Sequence, residues 1–146
     1  MRIVPLESTQ LDLVTAIEEQ DGDVGWSRAQ FEKELAGEFR RFFVVLEEDD
    51  PNPLAYGGYW KAGPEAQITN LVVRRESRCR GIAKRLVEFI LDCARGEECT
   101  TCTLEVRAAN AHAQALYRNL GFDVKGTRPT LYTNPVDDAV LMEKVL

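Results

Sequence analysis

The sequence predicts an α/β (α+β) domain with a mixed, mostly antiparallel sheet, a central β-α-β crossover, and helices on both faces. Three observations carry this. Apolar residues at Ile82, Leu86, Phe89, Ile90 and Cys93 fall on one helical stripe. Strand-like runs flank that stripe, at 66–73 before it and at 99–107 after it. Short apolar runs at 41–46 and 54–61, separated by Glu-Glu-Asp-Asp-Pro-Asn-Pro, read as an earlier hairpin. A chain of 146 residues with 45% hydrophobic composition suits one domain over 1–146, with one core.

In chain order, residues 2–6 suit an edge strand. Ser8 or Thr9 can cap a helix running to about Gln20, with Leu11, Leu13, Val14 and Ile17 on its apolar side. Asp21-Gly22-Asp23 ends it. Ser27 and Gln30 form a capping box for the next helix, with Trp26 and Phe31 at the staple positions. That helix reaches Leu35 or Ala36 and stops at Gly37. In the hairpin, Gly57-Gly58 inside a strand predicts a bulge or a close backbone approach. Ala62-Gly63-Pro64-Glu65 turns the chain into 66–73, where Leu71, Val72 and Val73 suit a strand covered on both faces. The long helix ends near Gly96. Asn110 caps a helix over 111–120 and Gly121 stops it. Strands at 122–125 and 139–145, the last starting as early as 137, close the chain. A loop of about eleven residues lies between them.

The net charge of −6 and pI near 4.9 argue against a nucleic-acid binder. No apolar run approaches the ~20 residues of a membrane span. Glu7, Asp12, Glu18 and Glu19 exclude a signal peptide in the first twenty residues. The expectation is a soluble, cytoplasmic protein. Cys99 and Cys102 have the spacing of half a zinc site, but no second pair matches it. The four cysteines are therefore expected to be reduced thiols, and no metal is expected.

One stretch inverts the charge. From 74 to 85, six of twelve residues are basic (Arg74, Arg75, Arg78, Arg80, Lys84, Arg85) and only Glu76 is acidic. Gly81 and Ala83 leave the backbone uncovered where the long helix begins. Its first amides lack intrahelical acceptors, and its dipole is positive there, so the end suits a phosphate. A solvated basic helix start is the plainer alternative.

The segment Arg78-Cys79-Arg80-Gly81-Ile82-Ala83 matches Arg/Gln-x-x-Gly-x-Gly/Ala, and so resembles the acetyl-CoA pyrophosphate loop of the GCN5-related N-acetyltransferases (GNAT). The element order is also that of the GNAT fold. Leu104-Glu105-Val106-Arg107-Ala108-Ala109-Asn110, Ala115-Leu116-Tyr117 and Leu120-Gly121-Phe122 resemble the RimI-type N-terminal acetyltransferases, which acetylate a ribosomal protein. So do the Trp26-Ser27 helix start, with Gly25 where proline is usual, and the Tyr132 and Asp137-Asp138-Ala139 tail. The likeness spans nearly the whole chain.

The resemblance implies an acetyl-CoA-dependent N-acetyltransferase acting on a protein N-terminus. It implies that 78–83 bind the diphosphate, and that main-chain groups of Leu71 and Val73 pair with pantetheine. Asn110, first a helix cap, would also bind the pantetheine arm. Glu105 would be the general base and Tyr117 the acid that protonates the departing thiolate. Trp26 and Tyr132 would line the acceptor groove, where Leu131 replaces the first of the usual two tyrosines. From residues alone, Glu105 reads equally as a paired strand glutamate, Tyr117 as a core tyrosine and Trp26 as the staple. The alternatives are an enzyme acting on lysine or a small amine, and a non-catalytic acyl-CoA-binding module.

Overall fold

The computed structural model describes residues Met1–Leu146. The elements come in the predicted order: β1 (Arg2–Pro5), α1 (Leu11–Asp21), α2 (Arg28–Leu35), β2 (Arg40–Leu46), β3 (Ala55–Ala62), β4 (Glu65–Val73), α3 (Ile82–Gly96), β5 (Thr101–Arg107), α4 (Ala111–Asn119), β6 (Asp123–Thr133) and β7 (Val136–Val145). The hydrogen-bonded strand order is β1-β2-β3-β4-β5-β7-β6. Pairs β1/β2, β2/β3, β5/β7 and β6/β7 are antiparallel, whereas β4/β5 is parallel, as a crossover through α3 requires. Two compact units divide the chain: Met1–Trp60 with Thr69–Ile90, and Lys61–Ile68 with Leu91–Leu146.

In the first unit, Leu6, Leu11, Val14, Ile17, Phe31, Phe42, Val44, Leu46, Tyr56 and Val72 form a core. The cap before α1 is not Ser8 or Thr9. Those residues form a single 3-10 turn, and Gln10 Oε1 accepts from the Glu7 amide at 2.9 Å. Leu13 is exposed rather than on the apolar side. At α2, Ser27 Oγ accepts from Gln30 N at 3.3 Å and Gln30 Oε1 accepts from Ser27 N at 3.0 Å, closing the predicted box. Trp26 meets Phe31 edge-to-face at 5.3 Å, the predicted staple.

Gly57 and Gly58 make close approaches, and no bulge interrupts their pairing with β2. The β2/β3 register runs unbroken from Arg40↔Trp60 to Val45↔Ala55. A Cβ on Gly57 would lie 3.0 Å from Asn70 O and 3.1 Å from Leu86 Cδ2, and one on Gly58 would lie 2.4 Å from Arg41 O. On β4, Val72 is buried but Leu71 and Val73 are only half-buried, so this strand is not covered on both faces. The stripe of α3 is wider than predicted, because Val87, Leu91 and Ala94 are buried beside Leu86 and Ile90.

A buried carboxylate ties this unit together. Glu18 is 1% exposed. Its Oε2 accepts from Val24 N at 3.0 Å and Gly25 N at 2.9 Å, and its Oε1 accepts from the Tyr56 hydroxyl. The Tyr56 oxygen in turn accepts from Asn70 Nδ2 at 3.2 Å. Burial, then the Glu18 charge, push the Tyr56 phenol well above its ordinary range, so it serves as a permanent donor.

In the second unit, β6 continues to Thr133 instead of stopping near Lys125, and Tyr132 pairs with Asp137 of β7. Tyr132 is therefore on a strand, not in a long loop. Register shifts between Val124 and Gly126 and between Arg128 and Tyr132 absorb the turn-like residues Gly126 and Pro129.

Replacing Glu18 by Ala strands the buried Tyr56 hydroxyl and two part-buried amides. We expect a loss of about 3 kcal/mol or more in unfolding free energy, seen as a lower urea midpoint. An unchanged midpoint would contradict this role.

Candidate active site

The loop before α3 follows from backbone strain placed where the sequence can bear it. Gly81 has φ +75° and Cys79 φ +63°, both in the left-handed region. A Cβ on Gly81 would meet nothing within 4 Å, so the glycine is needed for its conformation and not for space. The first helical bond of α3 runs from Arg85 N to Gly81 O at 3.1 Å. The amides of Ile82, Ala83 and Lys84 thus precede any intrahelical acceptor. Ile82 is 2% exposed, so its side chain anchors the helix while its N–H belongs to the open end.

The basic character here is largely compensated. Arg80 pairs with Glu47, Arg74 lies 3.7 Å from Glu76, Arg75 3.8 Å from Asp21, and Lys84 3.9 Å from Glu88. Arg78 and Arg85 have no carboxylate partner, and Arg78 Nε donates to Val73 O at 3.3 Å. Glu47 and Asp21 are distant in sequence, so the charge inversion looked stronger in the sequence than it is in the fold.

In the second unit, Asn110 Oδ1 accepts from Ala113 N at 3.0 Å, the predicted cap. Its Nδ2 is not used by the cap. Glu105 lies on β5 opposite Leu141, with its side chain 15% exposed. Arg128 Nη1 donates to Glu105 Oε1 at 2.8 Å, and Oε2 is buried with no partner in the protein. Tyr117 is 7% exposed and meets Phe122 edge-to-face at 5.8 Å. Burial, and secondarily the Tyr132 phenol, raise its pKa above the ordinary value, so Tyr117 keeps its proton and can act only as an acid. Arg107 stacks on Tyr132, 4.4 Å from the ring centroid, and donates to Pro135 O at 2.8 Å and Asn134 O at 3.1 Å. Burial pushes the Cys102 thiol up to about 12, which suits a packing residue and not a nucleophile. No group of three or more His, Cys, Asp or Glu side chains is arranged to hold a metal ion.

Within the first unit the structure places Leu71, Val73 and 78–83 on one continuous path, β4 into α3, with Trp26 against Phe31 and Phe42. Within the second it places Glu105, Asn110, Tyr117 and Tyr132 on β5, the start of α4, α4 and β6. Sequence reasoning missed Arg128, which precedes a proline in an apparent loop, and Glu18, whose donors lie on α1's own exit and on β3. For Arg128, the only available signal was its place six residues beyond Phe122, in a segment too rich in β-branched and aromatic residues to be bare loop.

Residues 11–122 match the acetyltransferase (GNAT) family model. The chain belongs to that family. It is 33% identical over 127 residues to N-alpha-acetyltransferase RimI of Mycobacterium tuberculosis, covering 84% of this chain and 77% of that one. It is 29% identical to the [ribosomal protein bS18]-alanine N-acetyltransferase of Escherichia coli K12, covering 96% and 94%. The crystal structure of the Escherichia coli ribosomal-protein-S18-alanine N-acetyltransferase superposes with TM-score 0.89 at 29% identity, over 99% of this chain and 92% of that one. The NatC complex bound to Gag peptide and CoA contains a chain with TM-score 0.83 at 26% identity, covering 100% and 99%. The fold is the GNAT fold, and the chain is an acetyltransferase. Members of this family use acetyl-CoA.

Two outcomes follow for these residues. Gly81→Ala should weaken acetyl-CoA binding by about tenfold, matching the ~1–2 kcal/mol cost of a left-handed L-residue, as read by calorimetry; unchanged affinity would detach the loop from the cofactor. For Tyr117, the folded pKa lies above the ordinary 10.0. Its stabilising share is present below pH 10 and declines above it as the unfolded chain ionises, by up to about 1.4 kcal/mol per pH unit. Tyr117→Phe should make urea-derived stability between pH 10 and 11 fall less steeply.

Proposed function

We propose that this chain, acting over 1–146 as one cytoplasmic N-acetyltransferase domain, moves the acetyl group of acetyl-CoA to the α-amine of a protein N-terminus, with a ribosomal-protein N-terminal alanine as acceptor. The carrying observation is the near-full-length likeness to bacterial enzymes named for that reaction.

The residues fit the cofactor. The amides at the start of α3 suit a diphosphate, with Arg78, Cys79, Arg80, Gly81, Ile82 and Ala83 forming its cradle. The half-covered main chain at Leu71 and Val73 pairs with the pantetheine arm, and Asn110 Nδ2 donates to it. Acetyl-CoA supplies an activated thioester. Glu105 accepts the proton of the incoming amine, directly or through one water. Tyr117 gives its proton to the departing thiolate. Trp26 and Tyr132 are each acceptor contacts, and Asp137 and Asp138 add negative charge on the strand paired with Tyr132. A single carboxylate suits an α-amine: its pKa of ~7.8 against ~10.4 for lysine spares about 3.5 kcal/mol of deprotonation at neutral pH.

A panel assay tests this. Peptides with a free N-terminal alanine should be acetylated at least about a hundredfold faster than N-blocked lysine peptides or spermidine, and Glu105→Gln should lower kcat by about 10²–10⁴. Activity confined to small amines would overturn the acceptor. A wild-type rate in Glu105→Gln would remove its assignment as base.

A further inference from the structure

Glu105 has two inequivalent oxygens. Oε1 accepts from Arg128 Nη1 at 2.8 Å, whereas Oε2 is buried and accepts nothing from the protein. Arg128 reaches it diagonally across three strands: Arg128 and Arg107 both pair with Ala139, while Glu105 and Gly126 both pair with Leu141. The buried end of the pair is the carboxylate, 15% exposed, against 60% for Arg128.

The position of Arg128 is built, not incidental. It lies between the two register shifts of β6. Just beyond it, Thr130 has φ +50°, and its amide donates to Asp138 Oδ1 at 2.9 Å. Asp138 thus pins the bend that follows Arg128. A carboxylate held at one oxygen by a charge-assisted bond can turn only by breaking that bond.

We propose that Arg128 is a positioning residue for proton removal: by occupying Oε1, it reserves Oε2 as the atom that takes the acceptor's proton. The inference rests on the reading of Glu105 as the base. In the step, an N–H bond of the acceptor ammonium breaks and its proton passes to Oε2, directly or through one water. The nitrogen keeps the electron pair and is then free to attack. Arg128 neither touches the acceptor nor receives the proton.

The test compares wild type, Arg128→Gln, Arg128→Lys, Glu105→Gln and the double Gln variant, using acetyl-CoA and a synthetic peptide with a free N-terminal alanine. Arg128→Gln should lower kcat about ten- to a hundredfold, with KM for acetyl-CoA changed less than about twofold. Arg128→Lys should recover most of the rate. The double variant should be no slower than Glu105→Gln alone, because Arg128 acts only through that carboxylate. Acetyl-CoA affinity by calorimetry confirms that each variant is folded. A wild-type kcat in Arg128→Gln, or a double variant slowed by the product of the two single effects, overturns the proposal while leaving the base assignment standing. A wild-type kcat in Glu105→Gln removes the base assignment itself, and this inference with it.

Discussion

The missing side chain of Gly57 sets the height of α3 above its strands. Leu86 of α3 and the backbone of Asn70 on β4 both come within about 3 Å of where a Cβ would stand. A larger residue there would require Leu86, Leu71 and the Asn70 backbone to give way. The helix start is rigidly coupled to that packing, since Ile82, Leu86 and Ile90 are all buried on the same side. The left-handed residues at Cys79 and Gly81 therefore aim the amides, and Gly57 decides how far those amides stand from β4. The placing of the open amides in this unit depends on a contact made one turn further along the helix.

The second organising element is a buried carboxylate. Glu18 gathers the α1–α2 connection, β3 and, through Tyr56, β4 into one hydrogen-bonded group. A buried carboxylate is tolerable only when its lone pairs are met, and here three donors meet them. Gly22 is bound into the same arrangement, because a Cβ there would overlap the carboxylate. Trp26, the residue that follows the clamp, inherits its place from it and is held further by Phe31 and Phe42.

Local signals carried most of the fold. Capping at Ser27 and Asn110 and the stop at Gly121 are written in neighbouring residues and appear as read, and the periodicity of α3 appears with a wider stripe. What escaped was long-range. Ser8 and Thr9 could not cap α1 because they lie inside a 3-10 turn that Glu7 itself caps, which leaves Gln10 at the cap position of α1. Tyr132 left its expected loop because bulges let β6 continue past Gly126 and Pro129. Leu71 and Val73 are as apolar as a fully covered strand demands, yet one face of β4 is half-open, which composition cannot express. The partners of the site follow the same pattern: Glu105 was visible by its motif, but Arg128 meets it only through the register of three strands. Glu18 gave no sign at all, since an acidic residue near the end of a helix looks like surface.

The compensated arginines before α3 bear on selectivity among phosphates. Polymeric polyanions such as RNA bind by summed cationic charge and counterion release, whereas a compact diphosphate responds to a few aligned dipoles. With four of the six cations already matched by carboxylates, the first mode is muted and the second is untouched. An acidic protein can thereby leave an open helix start to one small anion without becoming adhesive towards polyelectrolytes in general.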